Sequence, residues 1–272
     1  MFPANDADGL SDIPLDRQIE RFASGGMVAE FASVRTAQSF RTTRCTRGEG
    51  AAVMLELSPA QGRNERLHIL CIGAHCDDIE LGCGGTLLTL QAAGRVRRVD
   101  WIVLGSDATR RSEAEQAMRA LVEPALRGRL LFGDFSDGSM PGQYGPVKAF
   151  FETLKELPAA DLVFTHERDD RHQDHRIAAE MTWNTFRDHL ILEYEIPKWD
   201  GGLGQPNCYV PIAREAAERK VATLLESHAS QRHRDWFTAE TFMALLRLRG
   251  LECRAPSGLA EAFHARKLRL SA

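Results

Sequence analysis

The chain has 272 residues, and its 34 Lys and Arg against 38 Asp and Glu give a formal net charge of −4 at pH 7. A nucleic-acid-binding domain or a polybasic membrane-surface protein needs a large excess of positive charge, so this balance excludes both classes. A hydrophobic fraction of 43% and a charged fraction of 26% are typical of a folded globular protein.

The sequence carries no signal of membrane insertion or secretion. No apolar run approaches the ~20 residues that span a bilayer, and residues 1–18 are polar and acidic rather than basic and then apolar. The six cysteines include no C-x-x-C pair and are too scattered for a disulfide framework, which predicts reduced thiols. We therefore expect a cytoplasmic protein without an integral membrane segment, and its composition is compatible with a homo-oligomer.

Two regions follow one another along the chain. Residues 1–64 are predicted to form an N-terminal extension of mixed character, with a short helical stretch at 15–31 and an apolar run at 51–57. Residues 65–272 are predicted to form a single α/β catalytic domain, since one domain usually has about 100–200 residues.

Strands and helices alternate in this second region. LHILCIGA at 67–74 is an almost unbroken apolar run, typical of a strand that is covered on both faces. Further strands are predicted at 96–105, 129–135, 161–166 and 190–196, with helices at 86–94, 112–126, 147–157 and 177–189 and an irregular loop at 198–207. The alternation predicts a Rossmann-like, mostly parallel sheet with helices on both faces, a three-layer sandwich. Ligands of such sheets bind beyond the carboxyl ends of the strands.

Two polar clusters stand at predicted strand ends. HCDD at 75–78 directly follows the first strand, and HQDH at 172–175 follows the fourth and opens a helix. His172 and His175 are three residues apart, so they can share one face of a helical turn. Two histidines and one carboxylate are a common ligand set of catalytic Zn²⁺. A lone strand-end His usually forms hydrogen bonds and an Asp pair usually caps a helix, but the two clusters together favour a metal site.

The same residues resemble those of a known family. AHCDDIELGCGGT at 74–86 resembles the AHPDD-x-x-x-GCGGT signature of the zinc-dependent de-N-acetylases of the PIG-L/LmbE type. HQDH resembles the H-x-D-H motif of that family. HASQ at 228–231, at the end of a predicted helix that contains Lys220, and AEAF at 260–263 are similar to its shorter H-x-S-Q and A-E-x-F elements, so the resemblance runs from residue 67 to 266.

This resemblance implies that His75, Asp78 and His175 hold Zn²⁺ or another divalent metal, that Asp77 is the general base and that His172 faces the scissile group. The chemistry agrees, because hydrolysis of an amide requires both an activated water and a stabilised oxyanion, and Zn²⁺ serves both needs. Asp77 then accepts a proton from the water, and a cationic His172 stabilises the oxyanion or shares the acid role.

Neighbouring positions have alternative interpretations. Asp174 either orients an imidazole or caps the helix. Cys76 stands where the family usually has Pro, and we expect it to point away from the metal rather than to be a thiolate ligand. Ile79 stands where the family often has Glu, and Glu80 follows one position later. The glycine segment 82–86 is predicted to form a turn between the first strand and the helix at 86–94. It matches neither G-x-G-x-x-G nor the P-loop, so we assign it to close packing beneath the metal site rather than to phosphate binding.

Candidate substrate-binding residues follow the second and third strands. Arg110 or Arg111 could bind a sugar hydroxyl or a phosphate, although Arg110 could instead pair with Glu113, three residues later. Asp134 and Asp137 could accept hydrogen bonds from sugar hydroxyls or form a turn.

Three further residues are candidates for the pocket. His228 is expected to line it, and Trp199 and Tyr194 are either sugar-stacking or core aromatic residues. Together these features predict a zinc-dependent amidohydrolase that removes acetyl from an N-acetyl amino sugar, such as N-acetylglucosamine or its conjugate, and releases acetate and a free amine. The alternatives are hydrolysis of another acyl group, a nucleotide- or cofactor-binding α/β protein, and a non-catalytic glycan-binding relative, which would not need Asp77.

Overall fold

The computed structural model describes residues 66–269. The helix predicted at 15–31, the apolar run at 51–57 and the N-terminal extension as a whole lie outside these residues. Within them, none of the helices combines the length and hydrophobicity needed to cross a membrane.

Seven strands form one sheet in the order β3-β2-β1-β4-β5-β7-β6. The strands are β1 Leu67–Gly73, β2 Val96–Val103, β3 Arg127–Phe132, β4 Leu162–His166, β5 Leu190–Tyr194, β6 Cys208–Pro211 and β7 Ala260–Ala265. Longer helices are α1 Asp78–Ala92, α2 Ala108–Leu121, α3 Tyr144–Thr153, α4 Gln173–Thr185, α5 Arg214–Ser227 and α6 Ala239–Glu252.

The predicted α/β fold is confirmed. Strands β1 to β5 pair in parallel, while β7 pairs antiparallel with both β5 and β6. The two antiparallel strands and α6 were not predicted from the sequence. Strand β6 has only four residues, and β7 is rich in Ala, so neither has the β-branched, strongly apolar pattern that marks a strand.

Strand β1 shows why the sequence of a central parallel strand reads as a continuous apolar run. All seven of its residues are buried. Ile69 and Cys71 pack into a core shared with α1, α2 and α5, whereas Leu70 and Ile72 pack into a second core with α3 and α4. Because successive side chains enter opposite buried faces, the residues of such a strand are mostly apolar, and the sheet is sandwiched between two helical layers. The exception in β1 is His68, whose buried Nε2 atom lies 2.7 Å from Oδ2 of Asp100.

The sequence suggested a turn at the glycine segment before the helix, but the structure forms no turn there. Helix α1 begins at Asp78, so Gly82 to Gly85 lie inside it. A Cβ atom on Gly82 would lie 2.3 Å from two ring carbons of Tyr194. Tyr194 is fully buried, and its hydroxyl donates a hydrogen bond to the Ile72 carbonyl at 2.6 Å. This contact agrees with the proposed packing role of these glycines. Because the glycines lie inside a helix, they do not form the loop that the phosphate-binding alternative requires.

Replacing Gly82 by Ala is expected to lower the free energy of unfolding by about 1–3 kcal/mol, the usual cost of forcing extra atoms into a packed core. The higher helix propensity of Ala, worth about 1 kcal/mol over Gly, opposes this loss only in part. Gly145→Ala in α3 is the matched control, because nothing lies within 4 Å of its added Cβ. Urea unfolding measures both variants, and equal stability of the two would contradict this packing role.

The sheet order creates a crevice between β1 and β4. From β1 the chain proceeds outward through β2 to β3, and then returns to β4 on the other side of β1. At such a switch point the loops after the two central strands diverge, and ligands bind between them. The clusters at 75–78 and 172–175 follow these two strands.

Candidate active site and metal centre

The three predicted metal ligands meet in this crevice. The Nδ1 atom of His75 lies 3.2 Å from Nε2 of His175 and 3.4 Å from Oδ2 of Asp78, and Nε2 of His175 lies 3.5 Å from Oδ1 of Asp78. All three side chains are buried. Ligand atoms bound about 2.0–2.2 Å from a tetrahedral Zn²⁺ are about 3.3–3.6 Å apart. The separations of these donor atoms are close to that range, with the two histidines facing different oxygens of Asp78.

Carboxylates on the far side of both imidazoles fix the orientation of these ligands. Nε2 of His75 lies 3.0 Å from Oδ1 of Asp137 and 3.3 Å from Oδ2 of Asp174. Nδ1 of His175 lies 3.0 Å from Oδ2 of Asp170. Each carboxylate accepts a hydrogen bond from the ring nitrogen it faces, which leaves the other nitrogen of each ring directed at the shared space. Metal-binding histidines usually have such a carboxylate partner.

Asp78 is held as a carboxylate by the surrounding imidazoles. Burial alone would favour its neutral form, but His175 and His166 keep the pKa of Asp78 well below its usual value. Nε2 of His166 lies 3.0 Å from Oδ2 of Asp78, and its ring stacks on that of His175 with centroids 3.9 Å apart. His166 also belongs to a His/Asp group that could hold a metal, with Asp78 and His175.

Asp77 is buried next to the metal ligands but has no capping function. It occupies the N-cap position of α1, yet its side chain makes no capping hydrogen bond. Burial, and then the charge of the neighbouring Asp78, raise the pKa of Asp77 above its usual value. A carboxylate with a raised pKa is a stronger base, which suits the role predicted for Asp77.

His172 is the N-cap residue of α4 and lies against both histidine ligands. Its ring centroid is 4.9 Å from that of His75 and 4.6 Å from that of His175. Its Nδ1 atom accepts a hydrogen bond from the Asp174 amide at 3.2 Å. Burial, and then the charge of His75, lower the pKa of His172. These contacts indicate a neutral ring with a proton on Nε2, not the cation that the sequence-based hypothesis assigned.

Asp174 contacts His75 rather than capping the helix, since His172 is the N-cap residue. Asp174 is fully buried. Its carboxylate also accepts hydrogen bonds from the amides of Gly138 at 2.6 Å and Met140 at 3.0 Å. It therefore connects the loop after β3 to the ring of His75.

Arg110 and Asp137 lie at the mouth of the site. Nη1 of Arg110 donates to Oδ2 of Asp137 at 2.8 Å, while the other oxygen of Asp137 faces His75. The suggested pair of Arg110 with Glu113 is wrong, because Glu113 instead accepts hydrogen bonds from the amide and hydroxyl of Ser230 at 2.8 and 2.6 Å. The side chain of Asp137 is 48% exposed, so it remains accessible to a ligand.

Arg111 has different partners from Arg110. It pairs with Asp134, donates to the Ser106 hydroxyl at 3.1 Å and places its guanidinium 4.7 Å from the ring centroid of Phe132. Asp134 adopts a left-handed backbone conformation with φ of 59°, as a turn-forming Asp does. These contacts indicate that Arg111 and Asp134 anchor the loop after β3, and none of them involves the metal ligands.

His228 does not line an open pocket. It is fully buried, and its Nε2 atom lies 2.9 Å from Oε1 of Glu80, which is also fully buried. The side chain of Glu80 is therefore directed at His228. His228 therefore forms a buried ion pair with Glu80 instead of the substrate contact that was expected.

Cys76 is not a metal ligand in this arrangement. Its thiol faces the Gly105 carbonyl at 3.7 Å and packs in the core, and burial raises the pKa of the thiol. The five cysteines of the described residues are unpaired.

The sequence reasoning missed Asp170 and Lys198. Nζ of Lys198 lies 2.7 Å from Oδ2 of Asp170, the same oxygen that faces His175. Burial opposes ionisation of Asp170, but His175 and Lys198 keep its pKa below the usual value. The acidic pair at 169–170, five residues before His175, was a signal for such a partner, whereas nothing local marks Lys198.

Comparison with known proteins identifies the family of the chain. A family model described as PIG-L, GlcNAc-PI de-N-acetylase, matches residues 70–186. The chain is 30% identical over 183 residues to a protein of Escherichia coli named uncharacterized deacetylase YaiS, and the match covers 63% of this chain and 96% of YaiS.

Solved structures show the same fold. The N,N'-diacetylchitobiose deacetylase from Pyrococcus horikoshii matches with a TM-score of 0.57 and 22% identity, covering 72% of this chain and 82% of that enzyme. GalB, the 4-carboxy-2-hydroxymuconate hydratase from Pseudomonas putida, matches with a TM-score of 0.60 and 15% identity, covering 76% and 98%. Because a hydratase has this fold too, the fold alone does not define the reaction, whereas the family match and the YaiS relationship do. The chain therefore belongs to the PIG-L family and is a hydrolytic de-N-acetylase.

Proposed function

We propose that this enzyme is a zinc-dependent hydrolase that removes the acetyl group from an N-acetyl amino sugar or a conjugate of one. The observation that carries the proposal is the convergence of His75, Asp78 and His175 at 3.2–3.5 Å, with carboxylates behind both imidazoles. Nitrogen and oxygen donors in this number suit Zn²⁺, which leaves one position for solvent.

In this proposal His75, Asp78 and His175 hold the metal. When bound, Zn²⁺ supplies Lewis-acid polarisation of the carbonyl and a lower pKa of water, about 7 in known zinc enzymes. Asp170, Asp137 and Asp174 keep the two imidazoles in the tautomer that leaves the ligand nitrogens free. Asp137 and Asp174 contact His75, and Asp170 contacts His175.

Asp77 and His172 carry the proton and charge chemistry. Asp77 accepts a proton from the attacking water and returns it to the leaving amine, for which its raised pKa is suited. The neutral ring of His172 donates from Nε2 to the carbonyl oxygen as negative charge develops there. A neutral donor can perform this function, because a hydrogen bond to an oxyanion strengthens as the charge grows.

Arg110 and Asp137 are the substrate-binding residues that the geometry favours. A guanidinium and an exposed carboxylate together offer donors and acceptors to vicinal sugar hydroxyls. His75 and Arg110 keep the pKa of Asp137 below its usual value, so it is an ionised acceptor at neutral pH.

A substrate panel tests the proposal. The purified protein with Zn²⁺ is incubated with N-acetylglucosamine, N,N'-diacetylchitobiose and longer N-acylated analogues, and acetate and free amine are measured. We expect release of both from an N-acetyl sugar, with loss of metal and activity in His175→Ala. His189→Ala is the matched control, because His189 lies just before β5 at the opposite edge of the sheet. A metal-free wild type, or turnover only of acyl groups other than acetyl, would contradict the proposal.

A further inference from the structure

The HASQ segment, residues 228–231, contributes no residue to the proposed reaction, although it is one of the elements that resemble the PIG-L family. It forms a short helical turn directly after α5. His228 and Gln231 are buried, and Ser230 is half-buried. Polar side chains in such places form hydrogen bonds, so their partners indicate what the segment holds.

Ser230 contacts α2 through both its backbone and its side chain. Its amide donates to Oε1 of Glu113 at 2.8 Å, and its hydroxyl donates to Oε2 of Glu113 at 2.6 Å. Nε2 of Gln231 donates to the same hydroxyl at 3.1 Å, which leaves the hydroxyl proton for Glu113. Glu113 is only 7% exposed, so water competes little for these bonds. Ser230 therefore binds α2 in one defined orientation.

The other end of the segment contacts α1. Nε2 of His228 lies 2.9 Å from Oε1 of Glu80, and both side chains are fully buried. Glu80 belongs to the first turn of α1, which begins at Asp78 and has Asp77 as its N-cap residue. The amide of Leu81 donates to the carbonyl of Asp77 at 3.1 Å. The turn that contacts His228 is therefore the turn that carries the candidate base.

Arg110 lies three residues before Glu113 in α2, so the two side chains leave the same part of one helix. Nη1 of Arg110 donates to Oδ2 of Asp137 at 2.8 Å, and Oδ1 of Asp137 lies 3.0 Å from Nε2 of His75. The carboxylate that binds the HASQ segment and the guanidinium at the mouth of the site are thus joined by about one turn of helix.

Buried carboxylates are a costly way to pack two helices together. Apolar residues of similar size often give a stability equal to or higher than that of a buried ion pair. Hydrogen bonds are directional, whereas hydrophobic contacts are not, so polar contacts fix the relative position of two helices more narrowly. Glu80 and Glu113 therefore indicate a requirement for position and not for stability alone.

We propose that Ser230 is a positioning residue for substrate binding. By holding Glu113, the HASQ segment fixes the first turns of α1 and α2 against each other and so sets the place of Arg110 relative to Asp77. This inference rests on the proposed function, in which Arg110 binds the sugar and Asp77 is the base. The amide of a bound sugar reaches the base only when the sugar is held at the correct distance from it.

Amide hydrogen exchange, measured by mass spectrometry, tests this contact without any substrate. We expect the amides of residues 110–115 to exchange about tenfold faster in Ser230→Ala than in the wild type, the factor given by about 1.4 kcal/mol. Ser230→Thr keeps the hydroxyl and should exchange at nearly the wild-type rate. Thr238→Ala is the matched control, because it removes the hydroxyl that caps α6 and no contact with Glu113. It should lower thermal stability and leave exchange at 110–115 unchanged.

Steady-state kinetics with an N-acetyl sugar that the enzyme turns over test the consequence for binding. We expect Ser230→Ala to raise KM about five- to tenfold with kcat nearly unchanged, because a loss of substrate binding alone appears in KM. Adding Ser230→Ala to Arg110→Ala should raise KM no further, since Ser230 acts through Arg110. Ser230→Thr and Thr238→Ala should keep the wild-type KM.

Three results would overturn this positioning role. They are unchanged exchange at 110–115 in Ser230→Ala, a rise in KM that is equally large when Arg110→Ala is already present, and a similar rise in KM in Thr238→Ala. Failure of the proposed function has a different signature, because the wild type would then release acetate from no N-acetyl sugar. Exchange at 110–115 would still decide whether Ser230 fixes the turn that carries Arg110.

Discussion

Asp77→Asn is expected to lower kcat by about 10²–10⁴-fold, the usual contribution of general acid–base catalysis, with metal content and fold unchanged. Asn has the size of Asp but cannot accept the proton of the attacking water. Asp77 makes no capping hydrogen bond in α1, so the substitution removes no structural contact of that kind. Its pKa is raised by burial and then by Asp78, which is the direction that strengthens a base.

The matched control for this variant is Asp134→Asn. Asp134 is an exposed loop residue that pairs with Arg111, and its left-handed backbone conformation is accessible to Asn as well as to Asp. We expect wild-type kcat for Asp134→Asn. Full activity in Asp77→Asn would refute the base assignment, and loss of the metal together with activity would assign Asp77 to metal binding instead. Metal content by atomic absorption and thermal unfolding separate these cases.

The predicted strands follow from burial of a parallel sheet. Ile69 and Leu70 face opposite helical layers, and both must be apolar, so the run around them was readable without a structure. Strand β7 lies at the antiparallel end of the sheet and reads AEAFHA, where charged and small residues are buried through contacts with distant parts of the chain. Oε1 of Glu261, for example, lies 2.6 Å from Nζ of Lys220, and no local sequence pattern indicates this ion pair.

The glycine segment shows how a local signal was misread. Glycines usually indicate a turn, but Gly82 is required because the ring of Tyr194 occupies the space of a side chain. That contact joins residues more than a hundred positions apart in the sequence. A sequence pattern could suggest close packing there, but it could not show that the helix continues through the segment.

The candidate site also has a part that was predictable from the sequence and a part that was not. His75, Asp78, His172 and His175 come from two short runs, and the strand order brings these together, so their proximity was predictable. Asp170 contacts His175 across a turn, and Lys198 contacts Asp170 from a separate loop. His228 was placed in the pocket on its motif alone, whereas its burial against Glu80 depends on how α5 ends over α1.

The affinity for Zn²⁺ is expected to rise about tenfold per pH unit through neutral pH, because the metal competes with one proton. Burial lowers the pKa of His75, but Asp137, Asp174 and Asp78 outweigh it and raise that pKa well above 6.5. The metal-free ring of His75 is therefore protonated at pH 7, and the metal must displace that proton. Above the raised pKa of His75 this ring contributes no further to the rise in affinity.

The other two ligands contribute no further proton near neutral pH. Burial lowers the pKa of His175 to about 3, so its ring is neutral, and Asp78 is ionised because its pKa is below the usual value. Calorimetry in buffers of different ionisation enthalpy should thus find about one proton released per Zn²⁺ at about pH 6, below the pKa of about 7 of zinc-bound water, which adds a second proton at higher pH. Asp137→Asn removes a carboxylate that raises the pKa of His75, so the proton from His75 should disappear from this count at a lower pH than in the wild type. A pH-independent affinity, or release of two protons at about pH 6, would contradict this assignment of the ligand protonation states.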